Sequence, residues 1–540
     1  MQRRRFLIAS AASAFLAGCS RFSFIETPPT IHYPGMNEGH LLRDREPLPP
    51  PSAEVAIDVA ILGSGVAGLT AAWKLSKEGF HRFLVLDGPE FGGNTTGGHF
   101  GELAFPRGAH YVPLPSRESV HVREMLSDFG ILQGDPASAA PYFDETAVVH
   151  APEGRVYYGG KWQVGVLPSE GVPAEEMAEH NRFFDQVETF KIAKGADGKK
   201  AFCIPIEQSS ADPRWVELDR ISFKQWLTQQ GYTSQTLHWY LNYACRDDYG
   251  APYDRVSAWA GLHYFASRAG HARNAGDGAV LTWPDGLNAL VRRMANAIDR
   301  RQQSATAWRQ PGFAARVEER HGGADVLCVE RTSVGPRTFV IHAKRVVCAM
   351  PLFVAARVLS GIGQYGFDAS VHMPSYAPWL VSNFLMRRFP PEQAGAPLSW
   401  DNVLHGGRGL GYVVSTHQDI RVARPPKTVF SAYQALSDQA PREVRRWLAQ
   451  ASPHELYEEA ACDLREVYGL RFPLHTESLD ITVRAHAMAS PLTGFLKNRG
   501  LTALRNSNGR ILFAHSDLSG FSVFEEAAWW GHKAALRLLG

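Results

Sequence analysis

Gly63, Gly65 and Gly68 stand in "VAILGSGVAGLTAAWKL", a G-x-G-x-x-G spacing between a short apolar run and a helical pattern. Each glycine has its own use in such a turn. The first makes the tight bend, the second lets the backbone approach a diphosphate, and the third lets helix and strand pack closely. Val66 and Ala67, inside the motif, open the helix whose positive end would receive the diphosphate. Asp87 closes the next apolar run, "FLVLD", where a carboxylate can accept hydrogen bonds from ribose hydroxyls. The set predicts a bound dinucleotide. Gly92, Gly93 and Asn94 follow in a second glycine turn that would pass close to it.

These residues need strands and helices to hold them. "VAIL" (59–62) and "FLVL" (83–86) are wholly apolar and short, which suits parallel strands covered on both faces. Leu69, Ala72 and Leu75 recur at helical spacing until Gly79. The result is a βαβ start. "AKRVVCAMPLFVAARVL" and "RILFAHSD" repeat the buried-strand pattern later, and "FEEAAWWGHKAALRLL" reads as a terminal helix. Between them lie an aromatic, mostly helical stretch and a strand-rich one.

Further stretches then carry a resemblance. "FPRGAHYVP" places Gly108, Ala109, His110 and Tyr111 in a glycine-alanine-aromatic step. "WPDGLNALVRRMA" is a proline-glycine turn leading into a helix. "ARVEER" holds Val317, Pro351 follows the strand "KRVVCAM", and "GRILFAHSDLSGFSVFEEAAWWGHKAAL" closes the chain. In order and kind these resemble the flavin-containing amine oxidase superfamily, which includes monoamine and polyamine oxidases and is similar to phytoene desaturases. The resemblance implies an α/β fold: a glutathione-reductase-like Rossmann FAD-binding domain interrupted by a mixed α+β substrate domain. It implies noncovalent FAD, since no cysteine follows Cys462 to form a cysteinyl link. It puts Gly108, Ala109, His110 and Tyr111 beside the flavin and Val317 against the adenosine. It also puts Phe524 and Glu525 at a helix start aimed at the flavin, where the dipole favours negative charge.

Three positions depart from the family pattern. Asn94 stands where an arginine usually follows the glycine pair. Ser516 and Asp517 stand where an acid usually grips the ribityl chain. Ser382 aligns with a lysine that many amine oxidases keep near the reactive flavin nitrogen. His110, Tyr111 and Ser382 are the candidate catalytic residues. Asp247-Asp248 could hold an ammonium group, or could be a solvated helix end. Glu525 ranks above Glu526, and Trp529-Trp530 read as core. No histidine spacing reads as a metal site.

The N-terminus reads as an export signal. "RRRFL" resembles a twin-arginine motif, the apolar run 6–18 is too short to span a bilayer, and "LAGC" resembles a lipobox with Cys19 as the lipidated residue. Loss of residues 1–18 takes the formal charge from +2 to −1, which gives no electrostatic case for nucleic acid. Seven prolines between positions 28 and 51 predict a tether over 19–54. The expected division is signal 1–18, tether 19–54, FAD domain 55–160, 276–355 and 481–540, and substrate domain 161–275 and 356–480. The expected activity is hydride transfer from an amine, a polyamine among the candidates, to FAD, with oxygen or a quinone as acceptor, in a periplasmic, membrane-anchored protein. The alternatives are oxidation of a lipid or isoprenoid, and a flavin-fold protein that binds without turnover.

Overall fold

The computed structural model describes residues 28–302, 307–423, 425–469 and 471–540. Its first sheet grows from the apolar runs read in the sequence. Strand Glu54–Leu62 lies between Phe83–Leu86 and Gly335–Cys348, parallel to both, and its last four residues are buried on both faces. Arg309–Gln310 extends the sheet beyond Phe83–Leu86. Gly323–Thr332 and Phe313–Arg320 extend it antiparallel on the other side, and Ile511–Phe513 joins the long strand Gly335–Cys348.

Helix Val66–Lys77 starts directly after Gly65 and is buried almost along its whole length. It is sandwiched between this sheet and the terminal helix Phe524–Leu539. Gly531 allows that contact: a Cβ there would sit 2.1 Å from the Ala67 carbonyl oxygen. Trp530 is buried in the same core, as expected of it.

The second sheet has eight strands in the order Thr30–His32, Thr476–Ser490, Ser375–Met386, Thr428–Ala435, Tyr412–Val414, Asp401–Leu404, Gly154–Tyr158, Lys161–Val164. A separate aromatic core joins helices Ala174–Ile192, Phe223–Gln229, Gln235–Tyr249 and Ala258–Ala266. Two of these helices are held at their starts by side-chain caps: Ser222, paired reciprocally with Gln225, and Ser234, which accepts from the Leu237 N–H.

Three stretches lie in other elements than the sequence leads one to expect. Residues 30–44 are not a tether. Thr30–His32 adds an edge strand to the second sheet and Met36–Asp44 is a helix beside the large cavity. The prolines flank these two elements instead of interrupting them. The strand Thr476–Ser490 also stays in the second sheet along its whole length, so residues 481–490 belong with that sheet. Gly154–Tyr158 likewise belongs to the second sheet. Residues 1–18 and Cys19 lie outside the described residues.

Candidate active site

One cavity of about 1280 Å³ runs from the glycine turn to the wall between the two sheets. It exceeds the roughly 300–1,000 Å³ of ordinary ligand pockets. The turn is shaped as the sequence required. Gly63 has φ +114°, and a Cβ on it would lie 2.9 Å from the Ala349 carbonyl oxygen. A Cβ on Gly68 would lie 1.9 Å from the Gly63 carbonyl oxygen, so Gly68 serves helix–strand packing. Gly65 is different: a Cβ there meets nothing within 4 Å and projects into open space at the cavity wall. Gly92 has φ +89°, and Gly93 brings the second turn against Gly65. Gly108 admits no side chain, since a Cβ would lie 2.0 Å from the Asn94 carbonyl oxygen.

Asp87 lines the cavity, and Arg309 grips it with Nε at 3.1 Å and Nη2 at 2.7 Å. Asn94 donates to the Ala487 carbonyl and accepts from Arg484 Nη1 at 3.1 Å. The guanidinium of Arg484 also reaches Glu90 at 3.0 Å and the Arg107 carbonyl at 2.8 Å. A buried cation therefore braces the second glycine turn from strand Thr476–Ser490, although position 94 itself carries no charge.

Asp517 is fully buried at the end of Ile511–Phe513. Its Oδ2 accepts from Leu352 N–H at 2.9 Å and from Tyr376 Oη at 2.5 Å. Burial alone would raise its pKa, but His515 and these hydrogen bonds outweigh burial and hold the carboxyl below its ordinary value. Oδ1 has no hydrogen-bond partner. His515 Nδ1 lies 3.2 Å from it but already accepts the Asp517 N–H. Asp517 and Ser516 both line the cavity. An unpaired carboxylate oxygen at a cavity wall suits a hydroxyl-bearing chain.

At the far end the walls are aromatic and acidic. His110 packs against Tyr433, with ring centroids 4.4 Å apart, and against Trp400 and Tyr111. Burial lowers the His110 pKa to about 3, so the ring is neutral at physiological pH. Tyr111 Oη donates to Asp247 Oδ2 at 3.3 Å. Arg268 pairs with Asp248 at 2.6 Å, stacks on Tyr264 at 3.9 Å and reaches Tyr111 Oη at 3.4 Å. Among the described residues no cation forms an ion pair with Asp247. Burial first and the charge of Asp248 second raise its pKa to about 7. Burial and the neighbouring Asp247 raise Asp401 to about 8. Glu525, at the start of the terminal helix, is raised to about 7 by burial. Glu526 is bound instead into the interior by Ile206 N–H, at 2.7 Å, and by Ser519.

The cavity thus brings together Gly63, Gly65, Val66, Ala67, Asp87, Gly93, Asn94, Gly108, Ala109, His110, Tyr111, Ser516, Asp517, Phe524 and Glu525. Gly68 and Gly92 sit behind its wall. Two candidates are corrected. Ser382 does not face it. On strand Ser375–Met386 the cavity is lined by Trp379 and Val381, and Ser382, one residue on, points to the opposite face and is fully buried without a partner. Val317 lies inside the core, bridged to Leu359, while Phe313 and Ala314 line the cavity. A bulge between Ala314 and Arg316 shifts the strand relative to the sequence pattern. Asp247 and Asp248 are cavity walls and not a solvated helix end. Among the described residues no group of three or more His, Cys, Asp or Glu could hold a metal ion.

The family model for an NAD(P)-binding Rossmann-like domain matches residues 61–129. The chain carries a Rossmann-like dinucleotide-binding domain. No curated protein matches the sequence. Solved structures share the whole fold at low identity. A putrescine oxidase with putrescine bound has TM-score 0.60 and 16% identity, covering 90% of this chain and 99% of that one. Cyclohexylamine oxidase from Brevibacterium oxydans IH-35A has TM-score 0.57 and 16% identity, covering 89% and 98%. A fatty acid isomerase from P. acnes that produces CLA has TM-score 0.57 and 16% identity, covering 90% and 99%.

Proposed function

We propose that the protein is an FAD-dependent oxidoreductase of the amine oxidase type. The observation that carries this reading is Asp247, a carboxylate without a cation partner that faces the same cavity as the glycine turn. The site fits noncovalent FAD: Gly65 leaves its wall open, Asp517 offers a free oxygen, and the volume holds a dinucleotide with room beyond it. Gly63, Gly65, Val66 and Ala67 would hold the diphosphate, Asp87 a ribose and Asp517 with Ser516 the ribityl chain. FAD, when bound, supplies a two-electron acceptor for a hydride from the carbon that bears the amine.

The chain's own part is to seat and orient the amine. An ammonium entering the chamber meets Asp247, whose burial makes a partner cation strongly favourable. The neutral His110 adds no opposing charge. Tyr111 and Tyr433 give aromatic walls that favour a cation over their faces, with Trp400 packed against Tyr111. Oxidation needs the free amine, and Asp247, with a pKa near 7, is the group placed to take its proton. Burial of the chamber excludes water from the reacting carbon.

A second reading, oxidation or rearrangement of a lipid chain, draws support from Trp379 and Val381, which make one wall apolar where an amine oxidase often has a lysine. A third, binding without turnover, predicts a protein that takes up no flavin. For location we propose export by the twin-arginine route, with lipid attachment at Cys19 and oxygen or a quinone as electron acceptor. The test is an anaerobic visible spectrum of the purified protein with putrescine and spermidine. Bleaching of a flavin band supports the amine reading. A flavin that never bleaches with amines overturns it.

A further inference from the structure

We propose that one end of the eight-stranded sheet is a docking face for an anionic lipid surface. The strand register defines that end. Met386 lies opposite Thr428 on one side and Thr476 on the other. The segments that meet there are therefore Arg387-Arg388, residues 419–423 and 425–427, and the short helix Arg471–His475. Three of the ten exposed large apolar side chains among the described residues gather at this one end: Ile420 at 72% exposure, Leu474 at 61%, and Val422, fully exposed. Scattered single apolar residues are ordinary, but three on adjoining turns are not.

The charges around them are basic. Asp419 is already paired with Arg421, and Glu477 with Lys427, both at 2.7 Å. Arg387, Arg388 and Arg471 are exposed and form no ion pair among the described residues. Arg387 donates to the Thr476 carbonyl and Arg388 to His475 Nδ1. The exposed Glu102, on the neighbouring hairpin, offsets one of these charges. Apolar tips ringed by free arginines are the chemistry of an interfacial contact with anionic headgroups.

The chain itself approaches from this side. Thr30 pairs in parallel with Asp480, Ile31 with Ile481 and His32 with Thr482. Pro28 and Pro29, the described residues before Thr30, therefore lead toward the Thr476 end. Only ten residues separate Cys19 from Thr30. The inference rests in this part on the proposed lipid attachment, and an anchor plus a basic patch are the two signals that stable attachment takes.

The test is hydrogen exchange on the full chain bound to vesicles of phosphatidylethanolamine and phosphatidylglycerol, against vesicles of phosphatidylcholine alone. We expect added protection over 419–423 and 471–475 on the anionic vesicles only, with none at the distant hairpin tip 332–335. A triple variant, Arg387→Ala, Arg388→Ala and Arg471→Ala, should weaken docking about fivefold for each arginine removed. Equal exchange on both vesicles, or protection confined to other surfaces, overturns the proposal. The mass of the N-terminal peptide reports acylation at Cys19 separately, so failure of the anchor and failure of the face are told apart.

Discussion

Arg309 holds both carboxylate oxygens of Asp87, so the acid at the end of the second strand is already in a two-point ion pair before any ribose reaches it. A carboxylate has about four acceptor sites, and two donors leave room for a hydroxyl. Arg309 thus sets the orientation in which Asp87 can meet one. The Asp87→Ala variant should weaken flavin binding about tenfold, measured by fluorescence titration. Arg309 is 42% exposed and rehydrates when its partner is lost, so the loss of fold stability should be no more than about 1 kcal/mol.

Gly65→Ala and Gly68→Ala separate cofactor space from fold space. A methyl at Gly65 meets no protein atom, whereas one at Gly68 collides with the Gly63 carbonyl. The first variant should keep its melting temperature and purify without flavin. The second should melt several degrees lower or fail to accumulate. Equal melting behaviour in the two would mean that the turn does not work as described.

Asp517 predicts an acid limb. Its carboxyl sits below the ordinary value in the folded protein. The stabilisation is therefore full above the unfolded carboxyl's pKa of about 4, and is lost as pH falls through the folded value. Thermal unfolding between pH 7 and pH 3 should show a steeper acid loss in the wild type than in Asp517→Asn. Asp517→Ala strands the Leu352 N–H and Tyr376 Oη in the interior and should cost about 2–4 kcal/mol.

Asp247 and Asp401 predict the opposite slope. Raised to about 7 and about 8, they bind protons more readily in the folded state. Their cost is absent below pH about 4 and grows as pH rises through neutrality. A diamine that neutralises Asp247 should then raise the melting temperature more at pH 8.5 than at pH 6. Asp247→Asn should remove that difference and lower amine affinity at least about tenfold, with flavin content unchanged.

Arg484 predicts a failure that lysine cannot repair. Its planar head spans Glu90, Asn94 and two backbone carbonyls. An ammonium makes no such fork. Both Arg484→Met and Arg484→Lys should release flavin faster than the wild type in stopped-flow displacement, and rescue by lysine would show that only the charge matters.

The glycine turn was legible because its requirements are local: three glycines, one strand and one helix fix the geometry within 30 residues. Arg484 was not, since it reaches Asn94 across 390 positions and nothing in "TVRAHAM" marks it out. Ser382 was misplaced by one residue, and on a strand one residue is the difference between the two faces. Val317 was displaced by a bulge that leaves no trace in composition. The sequence allows Asp247-Asp248 to be either an ammonium site or a solvated helix end, because charge patterning cannot tell a water-facing wall from a cavity-facing one. The tether was misread through counting prolines without weighing their spacing, which leaves a full helix between Pro34 and Pro47.

The pairing of Thr30–His32 with residues 480–482 also sets a timetable. The chain's first described strand has no partner until nearly nine-tenths of the polypeptide has been made. A chain growing from the ribosome at about 5–20 residues per second must leave its N-terminal segment waiting through that interval. That edge of the second sheet can close only late in synthesis, whatever the protein's destination.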